Sequence, residues 1–93
     1  MFPTSSIVKH VQKDDDTDRF YAQAEVTLGE DMDRAELQLR DVDSSVYAAP
    51  LVNAKAGVNT FHISGNGNPP FKTGATIPVL CFPKGEIPET TPL

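Results

Sequence analysis

The sequence has one cysteine, no tryptophan, and only five phenylalanines and two tyrosines in 93 residues. Cys81 on its own cannot form an internal disulfide, so the chain is not a small secreted scaffold held by disulfide staples. Basic residues are also scarce, eight Lys and Arg against thirteen Asp and Glu. A nucleic-acid binder needs Lys, Arg and aromatics gathered on one face. Here Lys9, Lys13, Arg19, Arg34 and Arg40 are interspersed with more numerous acids, which argues against that class.

No apolar run reaches the roughly 20 residues a membrane-spanning helix requires. The opening MFPTSSIVKHVQKDDD lacks a basic segment followed by an apolar stretch, so no signal peptide is expected. The expected location is the cytoplasm of a host cell, or a virion released from it by lysis.

Catalytic signatures are missing as well. There is no GxSxG, no HExxH and no phosphate-binding glycine loop. GNGNPP at 65–70 has the glycines of a phosphate loop but neither its lysine nor a helix after it. His62 and Ser64 stand on one strand face with no carboxylate to orient them. His10, His62 and Cys81 lack the paired spacing of a structural zinc site. The expectation is a chain that is not an enzyme and carries no metal or cofactor.

What is present is a regular alternation. From Phe20 to Leu28, the residues Phe20, Ala22, Ala24, Val26 and Leu28 alternate with Tyr21, Gln23, Glu25 and Thr27. A period of two reads as a β-strand with one dry face and one wet face. Weaker strands are expected over Ser6–Gln12, Val46–Asn53 and Val58–Ser64. Pro50 interrupts the second of these and places it at a sheet edge. Ala75–Phe82 is apolar on both faces and reads as a central strand, in which Pro78 is a misfit that asks for an edge or a bulge. Arg34–Val42 is ambiguous. Ala35, Leu37 and Leu39 alternate as in a strand, whereas Met32, Ala35, Leu39 and Val42 have helical spacing; strand is the favoured reading. Turns fall at Lys13–Arg19, Gly29–Asp33, Asp41–Ser45 and Ala54–Gly57, and a long loop at 65–74.

Six strands with turns every 8–12 residues predict an all-β domain, an antiparallel β-sandwich of immunoglobulin-like type or a small barrel. The segments AELQLRDVD at 35–43 and AGVNTFHISG at 56–65, then a loop, Gly74 and the strand TIPVLCF, resemble immunoglobulin-like modules of bacterial and phage surface proteins. Ile77 stands near the place where those modules often carry a corner tyrosine. The chain lacks their Cys–Trp–Cys pattern, and their last strand is missing unless the proline-rich tail supplies it. One β domain over 1–93 is expected, with an N-terminal arm at 1–6 and a tail at 83–93.

Charge is distributed unevenly. Residues 1–45 hold eleven Asp/Glu and five Lys/Arg, and residues 46–93 hold two and three, so the halves carry −6 and +1. Asp14, Asp16 and Asp18 have the DxDxD spacing of calcium loops, although Arg19 stands where the turn glycine belongs and Glu25 is committed to a strand. If each connection reverses the chain, loops 13–19, 41–45 and 65–74 share one pole. Asp14, Asp16, Asp18, Asp41 and Asp43 would then be candidates for contact with a cation or a basic partner, beside Asn66 and Asn68. Candidate contacts with protein partners are Phe2 and Pro3 in the arm and Asn66, Asn68, Pro69, Pro70 and Phe71 in the loop. The expected function is a non-enzymatic structural or interaction module in a larger homo- or hetero-oligomeric assembly, most concretely a phage capsid decoration protein. The alternative is an acidic inhibitor, of the anti-defence kind, that blocks a basic groove of its target.

Overall fold

A computed structural model describes residues 4–39 and 45–85. Seven strands follow in order: β1 Thr4–Asp14, β2 Arg19–Leu28, β3 Met32–Leu37, β4 Tyr47–Ala48, β5 Leu51–Ala54, β6 Gly57–Asn66 and β7 Thr76–Pro83. All pairings are antiparallel, and the strands form one sheet in the order β4-β6-β2-β1-β7-β3-β5. The class is all-β, as the alternation predicts, with seven strands where six were expected. One continuous sheet does not confirm a sandwich of two.

Strands β4 and β5 occupy opposite margins of the sheet, yet only Ala49 and Pro50 separate them. Three virtual bonds of about 3.8 Å join Ala48 to Leu51. The sheet therefore curls until its margins approach, giving a half-barrel with Pro50 in the tie between them. Pro50 breaks the 46–53 strand as expected, and the break sends its two halves to different partners.

The core lies on the concave face. Phe20, Ala22, Ala24, Val26 and Leu28 are all buried, while Tyr21, Gln23 and Thr27 are exposed. Phe61 and Ile63 of β6 and Ile77, Val79 and Cys81 of β7 complete the interior. Cys81 is a free, buried thiol serving as a small apolar group. Strand β7 is central as expected, and Pro78 is accommodated by its position. Its carbonyl accepts the Gln38 N–H at 2.9 Å, so the missing donor points toward the end of β3, which stops at Leu37. The pair makes one bond and lacks the return bond that a Pro78 N–H would have made, at the point where β3 ends.

Two register shifts explain where the alternation breaks down. In β1, Val8 faces Ala24 but His10 faces Gln23, leaving Lys9 as an extra residue. Val8 and Val11 can then both turn inward although they lie three apart. In β3, Met32 faces Pro83 and Arg34 faces Phe82, leaving Asp33 extra, so Met32 and Ala35 share the core face. A bulge adds one residue to a period of two and produces the three-residue spacing of a helix. That is the source of the helical spacing of Met32 and Ala35; of the ambiguous stretch, residues 34–37 are strand, Gln38 and Leu39 follow it outside the strand, and 40–42 lie outside the described residues.

Several expected boundaries move. Thr4, Ser5 and Ser6 belong to β1 and not to an arm. Ser6 is fully buried, and its hydroxyl donates to the carbonyl of Ile77 at 3.0 Å. Gly65 and Asn66 close β6, which shortens the long loop, and Pro83 ends β7 instead of starting the tail. The N–H groups of Lys84 and Gly85 donate to the Asp31 carbonyl and the Asp33 carboxylate. The remainder of the expected arm (residues 1–3) and tail (86–93) lies outside the described residues.

Candidate functional site

Two regions carry the exposed chemistry, a charged pole and a neutral sheet face. The pole is the meeting point of the β1–β2 hairpin loop and the 67–75 loop, as the reversal of successive connections predicts. Asp14 faces Arg19 across the hairpin, leaving Asp15–Asp18 as a four-residue loop. Such loops are most often built around a type I turn, and tolerate a left-handed residue. Asp18 takes it, with φ of 55°. The Asp14 carboxylate accepts the Asp16 N–H at 3.0 Å, an Asx turn. The Lys13 ammonium lies 3.2 Å from Asp18 and 3.5 Å from Asp15, and also donates to Asn68 at 3.4 Å. Its hydrogen bond to Asp18, and then Asp15, hold the Lys13 pKa above the ordinary 10.5 against some desolvation.

The DxDxD spacing is thus turn chemistry. One aspartate caps the turn, another takes the left-handed position, and a lysine of the same hairpin supplies the cation. Among the described residues, no three or more His, Cys, Asp or Glu side chains are grouped as an ion would need. Asp41 and Asp43, also candidates, lie outside the described residues.

The 67–75 loop is fastened along its length. The Gly67 N–H donates to the Asp18 carbonyl at 2.7 Å, and Arg19 donates to the Asn66 side chain at 3.1 Å. At the far end, the Gly74 N–H donates to the Val8 carbonyl and the Val8 N–H to that of Ala75, both at 2.8 Å. In the middle, Phe71 meets Phe20 edge to face, with centroids 5.8 Å apart. Phe20 in turn lies over Gly65, its partner across the strands. A Cβ at Gly65 would stand 2.6 Å from the Phe20 ring. Of the loop candidates, Phe71 is half-buried and serves the core, Pro69 is half-buried, and Asn68 and Pro70 are exposed. A hollow of about 220 Å³ lies beside them, lined by Pro70, Phe71, Gln38 and Pro78 among others. Phe2 and Pro3 lie outside the described residues.

The second region is the outer face of β4, β6, β2 and β1. One cross-strand row runs Tyr47, Ser64, Tyr21, Gln12, and the next runs His62, Gln23, His10. They border an open groove of about 350 Å³, lined by His10, Gln12, Tyr21, Gln23, His62 and Ser64 with Ala22 and Ile63 at its floor. No Asp, Glu, Lys or Arg is among these lining residues. The nearest charged positions are Glu25 and Lys9 toward one end and the cross-strand pair Asp14 and Arg19 toward the other. His62 is on the wet face as expected. It is brought into one row with His10, whereas Cys81 points into the core, so the three cannot share a metal.

The groove residues are absent from the expected partner contacts. The one signal in the sequence is that the wet positions Tyr21 and Gln23 carry no charge. No family model, curated protein or solved structure matches this chain. None of its described residues forms a helix able to cross a membrane.

Proposed function

We propose that this chain is a non-enzymatic interaction module that joins a larger protein assembly through the pole. Its most concrete form is a decoration protein of a phage capsid. The observation that carries this reading is the fastening of the 67–75 loop at both ends and in its middle. A loop already ordered by Asp18, Arg19, Phe20 and Val8 loses little conformational freedom when a partner docks on it. Asn68, Pro70, Lys72 and Thr73 are left exposed along its outer side. The resemblance of 35–43 and 56–65 to immunoglobulin-like surface modules supports the same class. The test is native mass measurement of the assembly with wild-type chain and with Asn68→Ala/Pro70→Ser/Lys72→Glu. The triple variant should fold normally and fail to incorporate. Incorporation equal to wild type would refute the pole as the docking surface.

One observation favours the second reading, an acidic inhibitor of a basic groove: the Asp15 side chain is 92% exposed at the hairpin tip. Asp15→Lys/Asp16→Lys leaves the Asp14 and Asp18 turn contacts in place. Under the inhibitor reading it abolishes binding; under the assembly reading it leaves incorporation largely intact.

A further inference from the structure

We infer that the groove on the outer face of β1, β2 and β6 is a binding site for a neutral oligosaccharide. It is a separate surface from the pole, and the inference does not depend on the assembly role. Its size lies in the range of small-molecule sites, ~300–1,000 Å³, at about 350 Å³. Its lining selects the ligand by charge. The chain carries −5 overall, yet no carboxylate, ammonium or guanidinium lines this groove. An anion would find no Arg or Lys to pair with. A metal would find two imidazoles, from strands separated by β2, and no carboxylate among the lining residues.

What the lining offers is a set of groups that each donate and accept. Gln12 and Gln23 present carboxamides, His10 and His62 imidazoles, and Ser64 and Tyr21 hydroxyls. A sugar hydroxyl also does both, so such groups pair with it in either sense, whereas a charged side chain serves only one. Apart from a long 3.5 Å contact between His10 and Gln12, these side chains make no hydrogen bond to another described residue. They are solvated, and a ligand can replace that water. Tyr21 and Tyr47 flank Ser64 in one row, 45% and 64% exposed. Two strand spacings set their backbones about 10 Å apart. Each phenol ring has a flat apolar body for the C–H face of a pyranose and a polar tip for its rim.

The test is titration of the ¹⁵N-labelled full chain with cellohexaose, maltohexaose, xylohexaose and mannohexaose. Oligogalacturonate of similar length is the charged control. At least one neutral probe should give saturable amide shifts centred on Gln12, Tyr21, Gln23, His62 and Ser64. Tyr21→Ala and Gln23→Ala, both at exposed sites, should each weaken that binding about tenfold or more while preserving the dispersed spectrum. The inference is overturned if no neutral probe moves these amides at about 10 mM. Shifts centred on 66–71, or equally strong binding of the charged control, would overturn it too.

Discussion

The pole and the outer face differ in what their polar groups are already doing. At the pole, charge is dense but engaged. Lys13 sits between Asp15 and Asp18, Asp14 caps the turn, and Arg19 and Lys13 hold Asn66 and Asn68. In the groove on the outer face no Asp, Glu, Lys or Arg is among the lining residues, and its amides, imidazoles and hydroxyls have no hydrogen-bond partner among the described residues apart from the long His10–Gln12 contact. A cluster of acids stands out in a sequence, but much of it here serves to build a hairpin and anchor a loop. Capacity to bind is measured by unspent hydrogen-bonding groups in a shaped surface, and by that measure the neutral face offers more.

The sharpest way to break this contrast is through the joint on which the pole rests. Gly65 and Phe20 face each other across β6 and β2. The Phe20 ring is wholly buried and closed off by Phe71, so it has no room to retreat. A methyl at Gly65 would also stand 3.2 Å from Val46. Gly65→Ala should destabilise the domain by about 1–3 kcal/mol, the usual cost of overpacking, measured by denaturant unfolding. In a Phe20→Leu background the same change should cost less, since the obstructing ring is gone. Equal costs in the two backgrounds would show that ring and glycine are not coupled.

How much of this was legible follows from the same elements. The β2 face, the dry residues of β6, the central place of β7 and the break at Pro50 were readable, because each depends on local alternation or on one proline. Strands β1 and β3 were blurred because Lys9 and Asp33 are inserted residues, and a bulge mimics helical spacing. The split of β4 and β5 to opposite margins was not readable, since it depends on partners far along the chain. The pole was readable as a meeting of loops, but not the role of its aspartates, which the hairpin register assigns. The groove was hidden for a similar reason. Tyr21, Gln23, His62 and Ser64 are ordinary wet-face residues until the pairing of β2 with β6 puts them side by side.

A gentler cut separates the two regions without threatening the sheet. Phe71→Ala removes the edge-to-face contact, worth about 0.5–1.5 kcal/mol beyond buried area, and exposes part of the Phe20 ring. Stability should fall by about 1–2 kcal/mol, less than the ~3–5 kcal/mol of a fully buried Phe→Ala, because Phe71 is only half-buried. Hydrogen exchange should quicken at the Gly67 and Gly74 amides, which the loop protects, while amides of Tyr21 and Gln23 keep wild-type rates. Uniform acceleration across both regions would mean that pole and sheet open as one unit.

The smallest expected effect is electrostatic, and it compares the pole with the opposite end of the barrel. There Asp31 accepts the Ala56 N–H at 3.0 Å and pairs with Lys55 at 3.8 Å. The Ala56 hydrogen bond, followed by nearby lysines, holds the Asp31 pKa below the ordinary 3.8 despite some desolvation. A carboxyl with a depressed folded pKa stabilises the fold above 3.8, and that contribution is lost as pH falls through the folded value. Lys13 has the opposite sign. Its raised pKa gives a contribution complete below 10.5 and lost as pH rises through the folded value. Thermal unfolding of Asp31→Asn should therefore differ from wild type at neutral pH and converge with it in acid. Lys13→Met should differ at neutral pH and converge only in alkali. Both differences should shrink in salt, because the groups are near solvent. A Lys13→Met difference that persisted unchanged above its titration would mean the lysine acts through its methylene stem and not through its ion pairs with Asp15 and Asp18.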